Sequence, residues 1–233
     1  MPTPNPYLQQ VISMDAILPA YNEERGIAAV LDSVLASGLF ARVICVSDGS
    51  TDGTVELLRS YGARIHLIIH NQNRGKGHAI ASGIRAATSE AVFFLDADLV
   101  GLSPTALERA VAPFRAGQCR AVLAPMHDQV LSLSGARLGH SVCGNRIYYR
   151  QDLLPLLEEM QTTGFGVEVF LNQALGQLPQ RVVPLAGVSH RYKTQKGWPT
   201  EKVVSEFVRE GYQVVNQMVK SAWAAYRKRA KDL

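Results

Sequence analysis

Long apolar runs, paired cysteines and a basic surface studded with aromatics are all scarce in this chain. No apolar stretch approaches the ~20 residues of a membrane-spanning helix, so no span is expected. Cys45, Cys119 and Cys143 are an odd set without paired spacing. They argue against a disulfide frame and against a cysteine zinc site, and they suit a reducing compartment. Met1 to Gln10 is polar and lacks the basic-then-apolar order of a secretory signal, so a cytoplasmic location, at most at the inner face of the membrane, is expected. Aromatics make up only 7% of the residues, and they do not interleave with a protein-wide basic surface. Nucleic acid is therefore not an expected partner.

Charge is nearly balanced until the end of the chain. Residues 1–190 hold 14 Lys/Arg against 16 Asp/Glu, whereas residues 191–233 hold 10 against 4. The basic character belongs to the tail. There Val204, Phe207, Val208, Val215, Met218, Val219, Trp223 and Tyr226 recur at helical spacing before Arg227-Lys228-Arg229. A basic amphipathic helix over 200–233 is expected, packed on the rest of the chain or across a homodimer in the preferred reading, and on an anionic membrane surface in the other.

Between these ends, apolar runs alternate with helical patterns. Ala16-Ile17-Leu18-Pro19-Ala20 reads as a strand stopped by its proline, and Asn22-Glu23-Glu24 opens a helix to about Leu39. Arg42 to Ser47 is a second strand, followed by a loop in which Thr51 or Asp52 caps the next helix. Arg64 to Ile69 is a third strand, and the polar Gly-rich loop from Asn71 runs into a helix ending near Ala87. Ala91 to Leu95 is a fourth strand, unbroken in its apolar character and ending in Asp96-Ala97-Asp98. Further on, Pro104 to Ala116 and Asp152 to Met160 read as helices, Arg120 to Pro125 and Arg181 to Leu185 as strands, and Gly135 to Tyr149 is irregular. Gly164-Phe165-Gly166 breaks the chain before a helix from Val167 to about Leu178. Such alternation is the mark of a mostly parallel, helix-covered α/β sheet.

Binding sites in open α/β sheets lie outside the carboxyl ends of the strands, where all four polar loops fall. Asp-x-Asp at such an end is a hard-oxygen site for Mg²⁺ or Mn²⁺ when diphosphate oxygens and water complete the shell. Arg74-Gly75-Lys76-Gly77 places two cations and bare backbone at a helix start, a setting that attracts anions.

Taken in order, Pro19-Ala20-Tyr21-Asn22-Glu23, Ser47-Asp48-Gly49-Ser50-Thr51-Asp52, Asn73-Arg74-Gly75-Lys76-Gly77 and Asp96-Ala97-Asp98 resemble the nucleotide-sugar half of family 2 glycosyltransferases of the GT-A, Rossmann-like fold. The motifs look most like those of polyprenyl-phosphate sugar transferases and glucosyl-3-phosphoglycerate synthase-like enzymes. The resemblance is strong over about 14–105 and thins toward residue 196. It implies a catalytic domain over 1–199, with an acceptor half from about 106, and a metal-dependent transfer of a hexose from a UDP- or GDP-sugar. Pro19, Ala20, Tyr21 and Glu23 would hold base and ribose, with Asp48, Gly49 and Ser50 beside them. Arg74, Lys76 and Gly77 would meet the diphosphate or the sugar. Asp98 would bind the metal, helped by His190, with Asp96 and Ala97 at the ribose or a metal-bound water. Arg191 and Lys193 would neutralise the leaving group. Glu168, aimed inward after Gly164, Phe165 and Gly166, which would themselves contact the acceptor, is the candidate base for an alcohol acceptor.

Where relatives carry an acidic signature, this chain reads Cys143-Gly144-Asn145-Arg146. Asn145 is not an acid, and Arg146 and Arg150 suggest an anionic acceptor, lipid-linked or small and soluble, with Asn145 and Arg146 as candidate contacts to it. UDP-glucose stands ahead of GDP-mannose as donor. A sugar-phosphate nucleotidyltransferase, or a non-catalytic nucleotide-binding module on the same fold, are the competing readings.

Overall fold

The computed structural model describes residues 12–126, 143–190 and Gln217. Three expectations from the sequence, namely the tail helix over 200–233 apart from Gln217, Arg191 and Lys193, and the 135–142 part of the irregular middle, lie outside those residues.

The apolar runs become strands. β1 (Met14–Ala20), β2 (Arg42–Asp48), β3 (His66–His70) and β4 (Ala91–Phe94) pair in parallel in the order β3-β2-β1-β4. Of these, β1, β2 and β4 are covered on both faces, whereas the edge strand β3 is partly exposed. β7 (Arg146–Tyr149) runs antiparallel to β4 and to β6 (Ala121–Leu123), and β8 (Gln180–Val182) closes the sheet parallel to β6. A separate two-stranded ribbon pairs β5 (Leu99–Val100) with β9 (Ser189–His190). Strand order reverses between β1 and β4, the switch point where α/β sheets bind their ligands.

Alternate residues of one strand serve opposite layers. Ala16 and Leu18 of β1 and Phe93 of β4 pack under α1 (Ile27–Ala36), α2 (Thr54–Ser60) and α4 (Pro104–Arg115), while Ile17, Val92 and Phe94 face α3 (Lys76–Ala86). That second layer is completed by α5 (Arg150–Leu153), α6 (Leu157–Met160) and α7 (Val167–Leu175).

Several expectations shift. Pro19 lies within β1 and pairs with Val46. β4 ends at Phe94 opposite Ile17, so the missing proline N–H falls where β1 has only β2 as a neighbour. The first helix starts at Ile27 rather than Asn22, because Asn22 adopts φ 56 and the residues between serve a loop. β7 emerges from the stretch read as irregular. Asp52 does bond the Thr54 N–H, but it does so from outside the helix, whose N-cap position is Gly53.

Candidate active site

The first two loops are stitched together. Asn22 N–H donates to Ser50 Oγ, Thr51 N–H to Asn22 Oδ1, Glu23 N–H to Thr54 Oγ1 and Gly53 N–H to Glu24 Oε2. Much of the polar content of the β1–α1 and β2–α2 loops is thus spent on fixing each against the other; just before them Pro19 and Tyr21 are half-buried and Ala20 is buried in the core. Gly26 passes beneath the Asp96–Asp98 turn, where an added Cβ would lie 3.2 Å from the Ala97 carbonyl.

Asp48 is buried and turned inward. Its carboxylate accepts the N–H groups of Arg74 (3.1 Å) and Gly75 (2.7 Å) and the Nδ1 of His70 (2.7 Å), whose Nε2 meets Ser82 Oγ at 3.0 Å. Gly49, at φ 70, leaves no room for a side chain against Gln72 and Asn73. Asp48 therefore moulds the loop that carries Arg74 and Lys76. Arg74 itself stays exposed and lines, with Ile69, His70, Asn71 and Gln72, a cavity of about 530 Å³ beside β3.

Lys76 reaches the centre. Its Nζ donates to Asp96 Oδ1 and to Glu168 Oε1, both at 2.7 Å, so one ammonium links the carboxylate at the end of β4 to the one in the first turn of α7. Burial alone would lower its pKa; the two carboxylates outweigh burial and hold it above the usual 10.5. The amine stays charged.

This placement depends on glycines. Gly77, expected at the nucleotide sugar, also sits at a packing site. A Cβ there would collide with the Met160 carbonyl and Thr163 Oγ1, so bare backbone lets α3 sit on the turn before α7. Gly75 touches Gly164 in the same way, with an added Cβ 3.0 Å from the Gly164 Cα. Gly164, Phe165 and Gly166 form a 3₁₀ turn leading into α7.

Two expected acceptor contacts prove to be interior. Asn145 has no exposed surface, and its Oδ1 accepts the backbone N–H of Asp96 at 3.0 Å. Arg146 is equally buried, its guanidinium bonded to the Cys143 carbonyl, Tyr148 Oη and Asn172 Oδ1. Neither side chain reaches a surface where an acceptor could dock.

Asp98 and His190 meet because β5 pairs with β9, and Asp98 Oδ1 lies 3.3 Å from His190 Nδ1. Burial lowers the basicity of His190; the bond to Asp98 and the charges of Asp96 and Asp98 raise it, with an upward balance. Among the described residues no cluster of three or more His, Cys, Asp or Glu side chains forms a metal cage. A carboxylate with an imidazole beside it is nevertheless a donor set that suits Mn²⁺, and the carboxylate alone suits Mg²⁺, when a diphosphate supplies the remaining oxygens. Asp96, committed to Lys76, stands behind this pair.

Sequence reasoning missed Gly144, His70 and Asn172. A Cβ on Gly144 would sit 2.6 Å from Lys76 Nζ and closer still to both Asp96 oxygens. Its one signal was a glycine next to a polar residue in an otherwise apolar approach to a strand.

A family model described as glycosyl transferase family 2 matches residues 15–154. The chain is 46% identical over 89 residues to the uncharacterised glycosyltransferase YaiP of Escherichia coli, covering 36% of this chain and 22% of that protein. It is 34% identical over 106 residues to a 4,4'-diaponeurosporenoate glycosyltransferase of Staphylococcus aureus, covering 44% of this chain and 28% of that one. It therefore spans less than a third of the length of either relative. Glucosyl-3-phosphoglycerate synthase of Mycobacterium tuberculosis, solved with Mn²⁺, uridine diphosphate and phosphoglyceric acid, shares the fold with a TM-score of 0.67 at 24% identity, over 90% of this chain and 78% of that one. The same enzyme with Mn²⁺, UDP-glucose and phosphoglyceric acid gives 0.68.

Proposed function

The chain belongs to glycosyl transferase family 2, and from that premise we propose that it moves a hexose from a nucleoside-diphosphate sugar, UDP-glucose ahead of GDP-mannose, to a small anionic acceptor such as a phosphorylated glycerate. The observation that carries this reading is the Asp96–Lys76–Glu168 chain beside the Asp98–His190 pair, at the β1/β4 switch point. Such a site has what sugar transfer requires: cations for a leaving diphosphate and a carboxylate for an incoming hydroxyl.

Asp98 and His190 would hold a divalent ion, which when bound neutralises the diphosphate as it departs. Lys76, held in its charged form by Asp96 and Glu168, adds a positive charge in a water-poor setting, where such a charge acts strongly. Glu168 accepts the proton of an alcohol acceptor in an inverting transfer, and orients the substrate if configuration is retained. Asp48 shapes the α3 loop from behind, and Arg74 offers an exposed guanidinium at the rim. The structural likeness to an enzyme solved with phosphoglyceric acid supports a small anionic acceptor. A lipid-borne acceptor is the second reading, favoured by the relative whose name gives diaponeurosporenoate as what it glycosylates. Among the described residues no helix is long and apolar enough to cross a membrane.

The test is thermal stabilisation by UDP- and GDP-sugars with and without Mn²⁺, on wild type and Asp98→Ala, since ligand binding to the native state raises its stability. A metal-dependent shift with one nucleotide class, lost in the variant, is the expected result. No shift with any nucleotide sugar would sink the transferase reading.

A further inference from the structure

Arg146 lies on β7 opposite Phe94, the last residue of the strand that delivers Asp96. Its guanidinium forks. Nε donates to the Cys143 carbonyl at 2.5 Å, and an Nη donates to Asn172 Oδ1 at 2.7 Å and to Tyr148 Oη at 3.3 Å. The Cys143 arm belongs to the stretch whose Asn145 holds the Asp96 backbone and whose Gly144 abuts Lys76 and the Asp96 carboxylate. Asn172 belongs to α7, four residues after Glu168. Residues so spaced stack on one face of a helix.

We infer that Arg146 is the positioning residue that sets the Glu168 face of α7 against the Asp96–Lys76 side of the site. The kinetic consequence rests on the transferase reading above; the mechanical tie does not. Burying a guanidinium is costly unless its donors are engaged, and an apolar residue would fill a core strand more cheaply. Directionality is what arginine adds, because its planar fork fixes two bonds at a set angle where lysine would offer a swivelling point charge. Val167, Phe170, Leu171 and Leu175 bury the apolar side of α7, but that burial is less directional than a fixed hydrogen-bonded pair. Lys76 is less directional too, since it meets Glu168 at the end of a flexible four-carbon stem. Arg146 supplies the fixed link one turn below the base.

Asn172→Ala removes the helix end of the link without placing a hole in the core, Asn172→Asp keeps an acceptor oxygen, and Arg146→Lys keeps charge while losing the fork. Full-length chains are compared by amide hydrogen exchange and by steady-state kinetics. In Asn172→Ala, exchange should accelerate in both 143–147 and 166–172 while 42–48 is unchanged. Donor affinity should stay within about threefold, kcat should fall by about tenfold or more as the base loses alignment, and Asn172→Asp should restore it to within about threefold. Unchanged exchange in the two segments would overturn the link whatever the activity, and so would a kcat matching wild type in an active Asn172→Ala enzyme. If wild type transfers no sugar, the transferase reading fails and exchange alone decides the link. Should Arg146→Lys fail to fold, the Asn172 pair carries the test.

Discussion

Replacing Gly77 by alanine sets helix propensity against packing, and the two predict opposite signs. Gly77 is the second residue of α3, where alanine is intrinsically better by up to about 1 kcal/mol. The structure puts the new Cβ on top of the Met160 carbonyl and Thr163 Oγ1, and 3.4 Å from the Gly164 carbonyl. Thr163 cannot swing away freely, because its hydroxyl donates to that same Met160 carbonyl at 2.7 Å. Relief means backing α3 off the turn by about 1 Å, an overpacking cost of about 1–3 kcal/mol. Net of propensity, Gly77→Ala should destabilise by about 1–2 kcal/mol, a fall of several degrees in Tm at about 2–4 °C per kcal/mol for a chain of this size. Because Lys76 is the adjacent residue, the same displacement should lower kcat by on the order of 100-fold. Calorimetry and donor turnover on one preparation read both effects. A Tm at or above wild type with turnover retained would show that the turn yields, and would refute a packing requirement for glycine at position 77.

Asp15 is fully buried and accepts the N–H groups of Thr88 and Ser89 and the Ser89 hydroxyl. Asp15→Ala should cost about 2–4 kcal/mol by orphaning these donors, read as a lower urea midpoint. Burial, then the charges of Arg74 and His70, lower the pKa of His78 below its usual 6.5, with Asp48 opposing. As pH falls below 6.5 the unfolded chain therefore takes up a proton that the native state refuses, and stability drops until the native pKa is reached. His78→Gln should remove that slope, so the Tm difference between variant and wild type moves in the variant's favour from pH 7 to pH 5. Burial pushes the Cys45 and Cys143 thiols up to about 12. Neither should react with a thiol reagent at pH 8 until the chain unfolds, and rapid labelling of the native protein would contradict the burial assigned to them. Lys76→Met leaves the Asp96 and Glu168 carboxylates facing each other, and should lower turnover by at least 100-fold while donor-free Tm also falls.

The fold was legible wherever burial on two faces produces an unbroken apolar run. β1, β2 and β4 all announce themselves that way, and their order along the chain implies a parallel sheet. β7 was not legible, because its sequence, Arg146-Ile147-Tyr148-Tyr149, begins with a charge. No one-dimensional pattern distinguishes an arginine bonded inside a core from one on a surface. Pro19 misled for a related reason: proline stops a strand only where a neighbour needs its N–H, and β4 has ended by then. The helix expected from Asn22 failed because Asn22, Glu23 and Glu24 bond to residues about thirty positions later, beyond the reach of any local capping rule.

The site was legible as a set of loops and illegible as a division of labour. The alternation of strands and helices places Asp48, Lys76, Asp96 and Asp98 at one sheet edge, and the family resemblance adds Glu168, but neither says which of them are occupied by each other. Asp48 is committed to the amides of Arg74 and Gly75, Asn145 to the amide of Asp96, and Asn22 to that of Thr51. These commitments hold the loops rigid without a ligand, and preorganised groups stabilise developing charge at less cost than groups that must first be ordered. The side chains to which the proposed function assigns the chemistry are coupled to one another: Lys76 with Asp96 and Glu168, and Asp98 with His190. Each of these two groups spans elements distant in sequence, α3 with β4 and α7 in one case and the β5–β9 ribbon in the other. Small shifts of α7 or of the ribbon would therefore separate charges that the four loops alone cannot bring together, which makes the supports of those elements, Arg146 and the glycines beneath Lys76, as consequential for activity as the charged residues themselves.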